Sequence, residues 1–85
     1  MKELLVIYGI PNCEWCIELK KALITIGYDY DWIDLSKHKN EEFLTQIINI
    51  TGSDNIPVVK YKNNLYAPYK SYKTIDDLIN LIKDA

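Results

Sequence analysis

The run Leu4-Leu5-Val6-Ile7-Tyr8 constrains this chain most. Side chains alternate between the two faces of a strand, so five consecutive apolar residues put apolar surface on both. Such a strand needs cover on each side, which only packed helices or a second layer can give. The run is far too short to cross a bilayer. Gly9-Ile10-Pro11-Asn12 follows it with turn chemistry, and the segment reads as a buried strand.

The rest of the chain supplies the cover. Cys16, Leu19, Leu23 and Ile26 recur at spacings of three and four, the stripe of an amphipathic helix, with Gly27 placed to end it. Tyr28 to Leu35 alternates aromatic or aliphatic residues with aspartate and reads as a strand. Asn40 is placed to cap a second helix, with Glu41 and Glu42 in its first turn. Phe43, Leu44, Ile47, Ile48 and Ile50 would form its buried side, and Gly52 its end. Pro57 to Tyr61 reads as a strand with proline tolerated only at its start. Asn63-Asn64 would turn the chain into a short strand from Leu65 to Ala67. Thr74 caps a last helix with Asp77 at the capping-box position, and Ile75, Leu78, Ile79 and Ile82 form its apolar face. The order is β-α-β-α-β-β-α. Its first β-α-β should be a right-handed parallel crossover, and the closing hairpin makes the sheet mixed.

At 85 residues the chain suits a single domain over 1–85. Ten basic and twelve acidic residues leave a net charge of -2, and every basic residue is lysine. No basic cluster points to nucleic acid or an anionic membrane as partner. Met1-Lys2-Glu3 and the short run after it lack the apolar stretch and cleavage site of a signal peptide, so the expected location is the cytoplasm. The bias to Lys, Asn, Ile and Tyr is that of an AT-rich genome, which would make it the host cytoplasm for a phage-encoded chain.

Both cysteines lie in "NCEWC", residues 12 to 16. In a reducing compartment, a C-x-x-C pair between a strand and a helix signals redox chemistry before metal binding or a structural staple. Residues i and i+3 in a first helical turn share one side, so the two sulfurs can meet. Cys13 would sit at the helix start, where free N–H groups and the helix dipole favour a thiolate. Cys16 joins the apolar stripe and should be the more buried, resolving thiol. A structural zinc site needs four ligands, and beyond these two cysteines the chain offers one histidine, His38.

A short strand, "NCEWC" opening a helix, "NIPVV" at the third strand and a closing helix resemble a glutaredoxin. The resemblance implies a thioredoxin fold, an α/β architecture whose four-stranded mixed sheet of order 2-1-3-4 is flanked by helices. It implies Cys13 as nucleophile, Cys16 as resolving thiol, a cis Pro57, and Ile56 offering its backbone to substrate. Trp15 would form an aromatic wall beside the sulfur. Lys37 and Lys39 would meet the glycine carboxylate of glutathione. Tyr69, Lys70 and Ser71 stand where the family carries a Gly-Gly segment for the γ-glutamyl end. Glutathione is thus the expected cosubstrate, with no metal. The expected partners are glutathione and disulfide-containing proteins, ribonucleotide reductase among them, acting on a monomer.

The chain departs from the family pattern in three places. Glu14-Trp15 replaces the usual Pro-Tyr between the cysteines. No basic residue shortly precedes Cys13. "YAPYKSY", Tyr66 to Tyr72, contains neither glycine nor acid. The third departure supports a second reading, a thioredoxin-like redoxin reduced by a flavoprotein reductase. A third reading is a dimer that holds an iron–sulfur cluster or zinc through Cys13.

Overall fold

The computed structural model describes residues 4–85. Met1-Lys2-Glu3, read above as lacking a leader, lies outside the described residues. Strand β1 is Leu5–Gly9, helix α1 Glu14–Thr25, strand β2 Tyr30–Asp34, helix α2 Glu41–Thr51, strand β3 Val58–Tyr61, strand β4 Asn64–Tyr66 and helix α3 Ile75–Asp84. The sheet order is β2-β1-β3-β4. β1 pairs parallel with β2 and antiparallel with β3, and β3 pairs antiparallel with β4. This is the thioredoxin fold with the order 2-1-3-4 that the resemblance implies. No helix among the described residues is long and apolar enough to cross a membrane.

The core lies on both sheet faces. Leu5 and Ile7 of β1 and Val59 of β3 pack with Leu19 and Leu23 of α1 and with Ile75, Leu78 and Ile82 of α3. On the opposite face Val58, Leu35, Ala67 and Ile47 of α2 form a smaller cluster, flanked by Tyr8 and Ile33. Two helices cover the first face and one covers the second, so β1 is not equally buried on both sides. Leu5, Ile7 and Gly9 are buried, while Val6 and Tyr8 are half-buried. The same shortage of cover explains why Phe43, Ile48 and Ile50 of α2, read as a buried side, are exposed and Ile47 alone of that set is buried. Ile26 is likewise exposed, because it is the C-cap of α1.

Several boundaries differ from the sequence reading for local reasons. The Tyr28 N–H donates to Leu23 O and still belongs to the end of α1, so β2 begins at Tyr30. Lys62 and Asn63 both have positive φ and form the two-residue loop between the Tyr61–Asn64 pair. The hairpin turn is therefore Lys62-Asn63, a residue earlier than read, and β4 starts at Asn64. Asn40 occupies the N-cap of α2 but makes no side-chain cap bond. Its Nδ2 donates instead to Asp34 O, tying a short 3-10 turn (His38–Asn40) to the end of β2. Thr74 caps α3 as read, with its Oγ1 accepting from the Asp77 N–H at 3.1 Å.

Candidate active site

The strand directions bring four chain segments to one end of the sheet. Gly9 ends β1 opposite Asp34, which ends the parallel β2. β3 runs the other way, so its start at Val58 lies beside Tyr8. β4 ends at Tyr66 beside Val59. The loops that follow β1, β2 and β4 and the one that precedes β3 therefore share this end, where open α/β sheets carry their sites.

Cys13 is the N-cap of α1 in extended backbone conformation (φ -84°, ψ 117°). The Cys16 N–H donates to Cys13 Sγ at 3.2 Å, one of the helix-start donors turned onto sulfur. The two cysteines are free thiols. They differ in surroundings as the helical stripe dictates: Cys13 is half-buried and Cys16 is 1 % exposed. Burial pushes the Cys16 thiol up to about 12, reinforced by its hydrogen bond with Cys13. A thiol so placed keeps its proton at neutral pH.

Gly9 is a site residue the sequence reading treated only as a turn. An added Cβ there would lie 2.5 Å from Cys16 Sγ and 3.0 Å from the Trp32 ring. The glycine lets the strand end pass directly under the resolving sulfur. A glycine closing an apolar strand four residues before a C-x-x-C was the signal available.

The Ile56-Pro57 peptide bond is cis. Ile56 lines a groove of about 450 Å³ together with Cys13, Glu14, Trp15, Asp54, Asn55, Pro68 and Tyr69. Behind it Tyr72, which is 3 % exposed, donates from its hydroxyl to Pro57 O. Burial, and then the negative charge available to Cys16 and Cys13, pushes the Tyr72 phenol far above its ordinary range. The Trp15 ring lies 6.0 Å from that of Tyr72 and 5.8 Å from that of Tyr69.

Tyr69 is held in an unusual way. Its φ is 64°, a region that bulky residues rarely adopt. Ala67 O accepts from the Ser71 N–H, Ser71 Oγ accepts from the Ala67 N–H, and the Tyr69 N–H donates to Tyr72 O. This closed turn projects the Tyr69 ring into solvent at 66 % exposure. Of the residues expected at the site, Cys13, Trp15, Ile56 and Tyr69 meet at the one groove. Pro57 and Cys16 lie directly beneath it. Lys70 and Ser71 instead line a neighbouring groove of about 390 Å³ along α3 with Lys73, Asp77 and Asp84. Lys37 and Lys39 lie in the turn after β2, at the same sheet end but outside the Cys13 groove. The first acids after the Tyr66–Tyr72 stretch are Asp76 and Asp77, in the first turn of α3.

A mixed sheet of this order, with a dithiol at the start of α1 and a cis proline beside it, defines a thioredoxin-fold thiol–disulfide oxidoreductase. The glutaredoxin family model matches residues 5–66. The chain belongs to the glutaredoxin family and is a thiol–disulfide oxidoreductase. Among solved structures it is similar to the glutaredoxin of Archaeoglobus fulgidus, at 18 % identity and a TM-score of 0.73, covering 95 % of this chain and 86 % of that one. The buckwheat glutaredoxin–glutathione complex matches at 19 % identity and a TM-score of 0.74, over 96 % and 70 %. NrdH-redoxin from Escherichia coli, described as having a thioredoxin-like activity profile, matches at 20 % identity and a TM-score of 0.68, over 93 % of each chain. A comparison with curated protein sequences finds no match.

Proposed function

We propose that this chain works as a single-domain cytoplasmic monomer over 1–85, reducing protein disulfides and glutathione mixed disulfides through Cys13 and Cys16. The observation that carries the reading is the contrast between two sulfurs one helical turn apart, Cys13 open to the groove and Cys16 buried beneath it. Cys13 Sγ, as thiolate, attacks one sulfur of the substrate disulfide. The S–S bond breaks, and the leaving thiolate takes up a proton. Cys16 then gives up its proton and attacks Cys13 Sγ, releasing the second substrate thiol and leaving a Cys13–Cys16 disulfide. Two electrons and two protons have passed to the substrate. The backbone of Ile56 beside Pro57 aligns the incoming chain, and Trp15 walls the sulfur.

Glutathione is the reductant in this reading: two molecules restore the dithiol and leave as their own disulfide. Lys37 and Lys39 at the same sheet end, and Tyr69, Lys70 and Ser71 after β4, are its candidate contacts. Ribonucleotide reductase is a candidate electron acceptor. A second reading, reduction by a flavoprotein reductase, is favoured by one observation: among the described residues, the lining of the Cys13 groove includes two carboxylates and no lysine. Oxidised protein offered either reduced glutathione, or a thioredoxin reductase with NADPH, separates the two. Formation of both thiols with glutathione alone supports the first reading. Formation with the reductase alone selects the second.

A further inference from the structure

The groove beside Cys13 carries charged and aromatic side chains that the transfer of electrons between sulfurs does not itself require. Its charged members are Glu14 and Asp54, both exposed. Lys70 and Lys73 line the adjoining groove along α3, on the other side of Tyr69, which borders both. Its aromatic members are the paired rings of Trp15 and Tyr69, with Tyr69 set outward by a positive-φ turn that four hydrogen bonds close. Holding a tyrosine in that conformation costs energy, and such positions cluster where a side chain must be presented. Glutathione is a net anion whose single cation, the γ-glutamyl ammonium, comes without an aromatic ring. A protein segment can offer both.

We propose that, among protein disulfides, this groove selects those whose cysteine is flanked by cationic and aromatic side chains over those flanked by acidic ones. Glu14 and Asp54 read the charge, while Trp15 and Tyr69 receive the ring. The inference rests on the thiol–disulfide exchange proposed for Cys13 and names the class of partner it serves. Exposed carboxylates give modest, salt-sensitive attraction, and two of them acting together give roughly a three- to tenfold preference at low ionic strength. Aromatic faces add stacking contacts that salt screens little and that any segment bearing an aromatic residue makes alike.

The test is single-turnover oxidation of the reduced protein, followed by tryptophan fluorescence, so that no external reductant enters. Two disulfide-linked peptides are compared, identical except that lysines flank the tyrosine-cysteine pair in one and glutamates in the other. Each rate is divided by the rate of the same peptide with dithiothreitol, which removes intrinsic reactivity. The lysine peptide should react about three- to tenfold faster at low salt, with the ratio falling towards one at high salt. The double variant Glu14→Gln, Asp54→Asn should narrow the low-salt ratio to below about twofold. Equal rates at low salt, or a preference that survives the double variant, overturn the proposal while leaving the exchange mechanism intact. If neither peptide oxidises the protein, the exchange reading itself falls and the proposal with it.

Discussion

The hydroxyl of Tyr72 donates its hydrogen bond to the carbonyl oxygen of Pro57, fifteen residues away in sequence. The bond is buried and ties the turn after β4 to the segment that lines the groove beside Cys13. Tyr72→Phe keeps the ring that packs near Trp15 but leaves the Pro57 carbonyl without this donor. The expected loss is about 1–3 kcal/mol of unfolding free energy, the desolvation cost of an unpaired buried acceptor. Urea unfolding of the two reduced proteins checks it. An unchanged midpoint would mean that the hydroxyl does not hold this segment.

Cys16 and Tyr72 together set an alkaline limit to stability. Both are held protonated by burial, Cys16 up to about 12 and Tyr72 further above its usual range. A group whose pKa is higher folded than unfolded binds more protons in the native state, so stability falls as pH rises above its unfolded value. The reduced protein should keep its full stability below about pH 8 and lose it progressively from about pH 9 upward, at up to about 1.4 kcal/mol per pH unit for each such group. Cys16→Ala should flatten the lower part of that slope. Denaturant midpoints between pH 7 and 11 test this, and a slope unaltered by the substitution would contradict it.

Gly9 should tolerate no side chain. The alanine methyl would come within 2.5 Å of Cys16 Sγ, a distance real atoms do not accept. Because Cys16 is packed between α1 and the sheet, Gly9→Ala should cost about 1–3 kcal/mol as an overpacked core site. It should also slow closure of the Cys13–Cys16 disulfide by displacing the resolving sulfur. A variant of wild-type stability with a normal closure rate would remove Gly9 from the site.

Tyr69 offers the opposite case. Tyr69→Gly relieves the positive φ, worth about 1–2 kcal/mol, and forfeits a ring contact with Trp15 worth about 0.5–1.5 kcal/mol. Thermal stability should change little. Reaction with a disulfide peptide bearing an aromatic residue next to its cysteine should slow, while reaction with a small disulfide should not. Equal slowing of both would place Tyr69 outside partner recognition.

Much of this was legible in the residues because local chemistry and fold agree. The apolar β1 run, the stripe of Cys16, Leu19 and Leu23, and the Thr74 cap each point to the element observed. What was not legible depends on contacts distant in sequence. Nothing in the periodicity of α2 says that it alone covers one sheet face, so Phe43, Ile48 and Ile50 read as buried. The fit of Cys16 against Gly9, the Tyr72–Pro57 bond and the turn that presents Tyr69 arise only when strand ends converge. The hairpin slipped by one residue because Lys62 adopts the left-handed conformation, which its residue type does not announce.

The central claim is the division of labour between Cys13 and Cys16, and the pair of serine variants tests it most directly. Cys13→Ser and Cys16→Ser are assayed side by side on a glutathione mixed disulfide and on a protein disulfide, with glutathione as reductant. The account predicts that Cys13→Ser is inactive in both assays. Cys16→Ser should still clear the mixed disulfide, because a second glutathione can attack the adduct on Cys13. It should fail on the protein disulfide and remain covalently linked to it, since the buried thiol that displaces the partner is gone. Loss of both activities in Cys16→Ser, equal to that in Cys13→Ser, would contradict the account.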